Sequence, residues 1–462
     1  LPELPVVAAP TAPEPAIAAM PVPRAPVPDE VHRLPTIGRA GAVITGWLGL
    51  AALASLGQAV LTARMLPLAG RGALVVVLTV SAFGALVGGL GTNVAFRHFF
   101  GLPDPPVSLG DYLGLTLAMT PIAVVPITGA SMLVLTLSGG ARVDAGLVLA
   151  AAGLAAANML ANQTLDALNA AGSIRLAAGI VAGTGLVQLG LLVVGPHHPS
   201  LEHILVVLAA GWVVQAVVCV AALARSGVPT RPRHDQVAWQ LLIGKGLPAL
   251  GLNMGATVAF RFDRLLVAAF GGAPAAAVYS IASASCEALR LLPGSVGQVV
   301  FHRAARGRLS RPALARATRV VCVILLVAAG VLMLLAPWLL RTLFGPGYAG
   351  AVTPMRLLLA AELLLAPFLI ECRVLTGLGR TRAAGGVGLV GLLLSVATYP
   401  VLVPWLGPAG GAIASIVAYT LMSVLTRLAL RGELAPGATP AQRPAEEPRR
   451  DGPPATLGKG SS

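Results

Sequence analysis

The sequence predicts an all-α, polytopic membrane protein, about 12 transmembrane helices in two parallel six-helix lobes around a central cleft, on three observations. Of 462 residues 56% are hydrophobic and 11% charged, and the mean hydropathy is +0.83, a composition outside the range of soluble domains. Long apolar runs such as Ala73 to Leu90 and Val320 to Leu340 lack the alternation of a barrel strand, so helices must satisfy the backbone in lipid. The formal charge of +14 is spread between the apolar runs. A nucleic-acid binder would instead gather it on a folded polar surface. No nucleic-acid partner is expected.

Residues 1–37 are rich in Pro and Ala without an apolar face, which predicts a disordered tail. They show no basic region followed by an apolar stretch, as a signal peptide requires. Twelve apolar segments follow, near 40–62, 72–94, 111–138, 144–166, 174–195, 201–224, 238–268, 275–300, 317–343, 352–376, 384–404 and 409–430. Residues 38–225 form the expected N-terminal lobe, 226–237 a cytoplasmic linker, 238–430 the C-terminal lobe and 431–462 a second disordered tail. The loops between segments are too short for a soluble catalytic module, and no catalytic, metal or cofactor constellation stands out. The cysteines (Cys219, Cys286, Cys322, Cys372) lie in or beside apolar segments and read as small apolar residues. His197, His198 and His203 read as a polar loop before a metal site.

Basic residues set the orientation. Arg24, Arg33, Arg39, Arg97, Arg175, Arg225, Arg231, Arg233, Arg380, Arg382 and the run from Arg303 to Arg319 collect on one side. The other side has little beyond Arg64, Arg71, Arg142 and Arg341. Both termini are therefore expected in the cytoplasm, across the inner membrane of a bacterium, and an even number of spans agrees. The run from Arg303 to Arg319, with His302, is expected to fix topology and to attract anionic headgroups at about 1 kcal/mol per residue.

The two halves repeat. Leu168-Asn169-Ala170-Ala171-Gly172-Ser173-Ile174-Arg175 resembles Leu375-Thr376-Gly377-Leu378-Gly379-Arg380-Thr381-Arg382, and Val94-Ala95-Phe96-Arg97-His98 resembles Val299-Val300-Phe301-His302-Arg303. The nearly shared offset implies two bundles in the same order and orientation.

Several motifs resemble the polysaccharide (Wzx-type) flippases of the multidrug/oligosaccharidyl-lipid/polysaccharide exporter superfamily. They are Ala63-Arg64-Met65-Leu66 with Gly70-Arg71-Gly72-Ala73, Gly89-Leu90-Gly91-Thr92-Asn93-Val94-Ala95, and Asp263-Arg264-Leu265-Leu266 with Tyr279-Ser280-Ile281-Ala282. Leu343-Phe344-Gly345-Pro346-Gly347-Tyr348 and the stretch from Gly407 to Ser415 complete the set. The resemblance spans residues 38–430. It implies alternating access and flipping of an undecaprenyl-diphosphate-linked saccharide, with membrane lipids and polysaccharide assembly proteins as partners. A cation-coupled multidrug exporter and a silent scaffold recruiting partners through its Pro-rich tails are the rival readings.

Charge within a span costs at least about 2.5 kcal/mol and should face a cavity or a partner. Glu287 and Arg290 are three apart on one helix face and can pair; Arg290 is then either a cation for a diphosphate or half of a structural ion pair. Arg261, Asp263 and Arg264 are either interfacial or in the outer cleft. Lys245 reads as an anchor or a headgroup contact, and Arg64 as a cleft residue by the resemblance. Glu362 is either a coupling carboxylate or a protonated structural one. Asn158, Asn162, Gln163 and Asp166 form a polar strip that either binds sugar, with Asn162 as the contact, or bonds helices together.

Overall fold

The computed structural model describes residues 37–431 apart from 103, 228, 306 and 308; within its helices the side chains of 37–42, 249, 251–262, 302 and 381 are outside the description. The two expected tails lie outside the described residues, as do Arg306, Arg308 and the side chains of Arg39, Arg261 and His302.

The described chain is helical throughout: α1 (Ile37–Met65), α2 (Leu68–Gly88), α3 (Thr92–Phe100), α4 (Leu109–Ser138), α5 (Ala145–Ala170), α6 (Ile174–Val194), α7 (Leu201–Arg225), α8 (Gln236–Glu287), α9 (Leu291–Ala305), α10 (Arg311–Phe344), α11 (Val352–Gly377), α12 (Thr381–Leu406) and α13 (Pro408–Arg431). Ten helical stretches among the described residues are long and apolar enough to cross a membrane. Large apolar side chains face outward on them, with Val125 74%, Leu149 72% and Leu334 80% exposed. Water would not tolerate so broad an apolar surface, whereas acyl chains match it.

Each apolar segment of the sequence lies in helix, and the differences are local. The second run breaks after Gly88, because Leu90 and Gly91 take positive φ of 49° and 67°; α3 starts anew behind them. The seventh and eighth runs have no loop between them. They meet inside α8 at Gly272, whose φ of 81° and ψ of 171° reverse the chain in a single residue. Residues 236–271 and 273–287 are thus two arms, and the second continues through a 3₁₀ turn, Ala288–Arg290, into α9.

Helix ends are fixed by side chains that satisfy free backbone N–H groups. Ser108 and Asp111 form a reciprocal capping box on α4, Asp144 caps α5, Ser200 caps α7 and Asp235 caps α8. The internal repeat is visible in one of these turns. After α5, the Ser173 N–H donates to the Leu168 carbonyl at 3.2 Å around Gly172 (φ 81°); after α11, the Arg380 N–H donates to the Leu375 carbonyl at 2.9 Å around Gly379 (φ 80°). A left-handed residue is needed at both places, so glycine occupies both. In each half the helix before this turn packs along the last helix of its half, α5 on α7 and α11 on α13.

We call the end where α7 finishes and α8 begins the near end, and the end holding Gly272 the far end. The halves meet closely at the far end. Leu265, Ala268 and Ala276 pack among Leu66, Ala73, Leu135 and Leu201, and Ala59, Val60 and Ala63 pack among Val267, Tyr279, Phe344 and Tyr348. A Cβ on Gly72 would stand 1.8 Å from the Ala273 carbonyl oxygen, so this contact requires glycine. At the near end the clusters separate. Val300, Ala304, Leu314, Ile370 and Leu375 form an apolar cluster whose members, among the described residues, all belong to the second half. The first turns of α8 are the exception: Ala238 and Leu242 join Phe96, Tyr112 and Leu223, and the Trp239 indole donates to the Asp111 carbonyl at 3.0 Å. α8 therefore begins packed on the first half and ends inside the second.

Candidate functional site

The reversal at Gly272 lays the two arms of α8 side by side, which brings together residues 23 apart in sequence. The Arg264 guanidinium meets the Glu287 carboxylate and also donates to the Ser283 hydroxyl at 3.1 Å. Asp263 points the other way into the protein and is 4% exposed. Its carboxylate accepts from the Tyr279 hydroxyl at 2.9 Å and from the Arg264 backbone N–H at 2.7 Å. Tyr279 lies 3.4 Å from the Tyr399 hydroxyl, which lies 2.8 Å from Ser415. These hydroxyls extend the network to α12 and α13, so a buried acid is enclosed by donors.

The 3₁₀ turn tightens the span at Arg290. Its guanidinium reaches α11, where Nε lies 2.8 and 2.9 Å from the two carboxylate oxygens of Glu362, and it donates to the Tyr419 hydroxyl at 3.4 Å. Glu362 is 4% exposed. Besides lying three apart on one helix face, both residues reach other elements: Glu287 ties to the first arm of α8, and Arg290 to α11 and α13. Paired and hydrogen-bonded charges of this kind cost far less to bury than isolated ones.

Beside these pairs is a cavity of about 190 Å³ between α1, α2, α7 and α8, lined by Gln58, Thr62, Arg71, Arg264, Ser280 and Glu287 among others. It lies where the two halves meet. Arg71 is its distinctive residue. The sequence placed Arg71 in a loop flank, whereas α2 begins three residues earlier and buries it to 7% exposure. Its Nε is buried without a hydrogen-bond partner, and no carboxylate pairs with it among the described residues. Tyr348, in the turn before α11, approaches Arg71, and burial holds that phenol above its ordinary pKa, hence neutral. The one signal in the sequence is the neighbouring Gly72, which lets the second half come against the helix at this point.

The remaining candidates are dispersed. Arg64 is exposed and donates to the Leu343 carbonyl at 2.8 Å and to that of Thr342, so it ties the end of α1 to the end of α10. Lys245 is exposed on the near-end arm of α8. Arg261 lies in α8, and its side chain is outside the described ones. The strip on α5 is used mostly between helices: Asn158 donates to Ser81 of α2 at 3.1 Å, Gln163 accepts from Tyr112 of α4, and Asp166 accepts from Asn93 at 2.7 Å and pairs with Arg97, both of α3. Asn162 is exposed and donates back to Asn158 on its own helix at 2.7 Å.

No protein-family model and no curated protein sequence matches the chain. Solved structures do. The "Lipid II flippase MurJ, inward closed conformation" superposes with a TM-score of 0.70 at 11% identity, covering 84% of this chain and 87% of that one. An inward-facing "multidrug resistance MATE family transporter of the MOP superfamily" gives 0.65 at 16% identity over 83% and 94% of the two chains. An outward-facing one gives 0.56 at 14% identity over 86% and 95%. At these identities the likeness is one of fold, and the chain shares the fold of these flippase and transporter structures.

Proposed function

We propose that this chain is a flippase carrying a lipid-diphosphate-linked saccharide, a precursor of a cell-envelope polysaccharide, from the cytoplasmic to the outer leaflet of a bacterial inner membrane by alternating access. The lipid is of the undecaprenyl-diphosphate class, its tail staying in the bilayer while the polar head passes between the halves. The observation that carries this reading is Arg71. A buried guanidinium without a carboxylate partner among the described residues, facing a cavity between two bundles, supplies charged donors where a diphosphate would otherwise lose its water. The neighbouring charges are not a general cation excess. Arg264 and Arg290 are matched by Glu287 and Glu362, and Asp263 is enclosed by hydroxyl and amide donors away from the cavity lining. The preference for an anion therefore rests on Arg71.

The near end is the cytoplasmic one in this reading, since it collects most of the exposed arginines. In this reading the far end opens when the halves part at Gly72 and Ala273 and Arg64 is released from α10. Glu362 is the candidate coupling carboxylate: protonation would release Arg290 and loosen α11 from the turn between α8 and α9. A cation-coupled multidrug exporter is the second reading, favoured by the likeness to the multidrug transporter structures. Depletion of the protein separates them. The flippase reading expects one lipid-linked saccharide to accumulate on the cytoplasmic leaflet, measured with a leaflet-restricted labelling reagent. An unchanged pool together with raised drug sensitivity would replace it with the exporter.

A further inference from the structure

A second concavity lies away from the interface of the halves, at the near end between α9 and α10. Val296 and Arg303 of α9 and Ala313, Arg316, Ala317, Val320 and Val321 of α10 form it, with a volume of about 410 Å³. On α10 these positions fall at spacings of three and four, so they occupy one helix face. The chemistry changes along the groove. Val320 and Val321 lie four and five residues deeper than Arg316, roughly 6 to 7.5 Å at 1.5 Å per residue. The shallow part thus offers two guanidinium groups from two different helices, and the deep part offers only hydrocarbon. Arg303 and Arg316 are exposed, and neither has a carboxylate partner among the described residues.

We propose that this groove is a binding site for an anionic phospholipid of the bilayer, distinct from the transported cargo. The phosphate sits between Arg303 and Arg316, and one acyl chain lies along Val296, Val320 and Val321. Charge complementarity selects the headgroup, because two guanidinium forks from separate helices can chelate one phosphodiester. The apolar floor distinguishes a lipid from a free phosphate, which would gain nothing from the valines. An occupant would bridge α9 to α10 toward the end of α9 remote from the central charge network, and so would brace the second half.

The test uses the full chain in vesicles. Tryptophan introduced as Val320→Trp, at the groove rim, reports quenching by phosphatidylglycerol or phosphatidylcholine carrying brominated acyl chains, after subtraction of the unsubstituted protein. The proposal expects phosphatidylglycerol to quench at a mole fraction roughly 30-fold lower, from about fivefold per arginine. Adding Arg303→Gln and Arg316→Gln should abolish that preference. Adding Arg311→Gln and Arg319→Gln instead, the same charge removed from α10 outside the groove, should leave it intact. Equal quenching by both lipids, or equal loss in both double variants, would reduce the groove to ordinary lipid-facing surface. Displacement of phosphatidylglycerol by an isoprenyl-diphosphate lipid at matched mole fraction would assign the groove to the cargo and overturn the proposal as well.

Discussion

The two halves repeat one architecture and spend their buried polar groups differently. In the first half the polar residues of α5 are mostly uncharged and sit between helices: Asn158 with Ser81, and Gln163 with Tyr112. Among the described residues its ion pair, Arg97 with Asp166, involves side chains 48% and 22% exposed. In the second half the equivalent depth holds Asp263, Arg264, Glu287, Arg290 and Glu362, and Glu362 is nearly sealed. Interhelical hydrogen bonds in a membrane are modest glue, whereas charge in the same place is expensive and survives where it has a task. The difference teaches that the first half supplies a frame and a buried cation, Arg71, with no carboxylate partner among the described residues, while the second half supplies a charge network able to rearrange.

This contrast can be broken most sharply at Glu362. Glu362→Leu leaves the Arg290 guanidinium without its carboxylate, and the loss of one member of a buried pair costs about 3 to 5 kcal/mol. Thermal unfolding in detergent should show that loss, and the double variant Glu362→Leu with Arg290→Met should recover most of it. Full recovery of fold without recovery of transport would mark the pair as functional. Tyr279→Phe comes next. It removes one donor from the enclosed Asp263 and should cost about 1 to 3 kcal/mol by the same assay. In the first half, Asn158→Ala should cost only about 0.6 kcal/mol, the average for an interhelical hydrogen bond in a membrane protein. Asn162→Ala should leave stability unchanged, since its described bonds stay on its own helix; a loss of transport at unchanged stability would show that it contacts the saccharide.

Much of the frame could be read from the sequence because lipid imposes a length and a composition on every span, and the twelve apolar runs fall in helix apart from the break at Gly89 to Gly91. The repeat was legible for a similar reason: a left-handed turn demands glycine, so Gly172 and Gly379 recur with their surroundings. The junction of the seventh and eighth runs was less so, since Gly272 turns the chain alone, without the polar residues of an ordinary loop. The site itself was half legible. Buried charge marked Asp263, Arg264, Glu287, Arg290 and Glu362, but which acid faces which base depends on how α8 and α11 pack, and Arg290 and Glu362 are 72 residues apart. Arg71 was hidden for a different reason. A basic residue at the mouth of an apolar run looks like a topology signal until the other half of the protein closes over it.

Arg71 is accordingly where the account is most exposed. The direct measurement is the rate at which an isoprenyl-diphosphate-linked saccharide crosses vesicles containing Arg71→Ala, set beside the thermal stability of the same variant. The account predicts transport lowered by about tenfold or more, the worth of one charge-assisted contact, with stability equal or slightly raised because an unsatisfied buried Nε has been removed. Arg71→Lys should fall between the two. Unaltered transport by Arg71→Ala in a folded protein would contradict the assignment of this cavity to an anionic cargo.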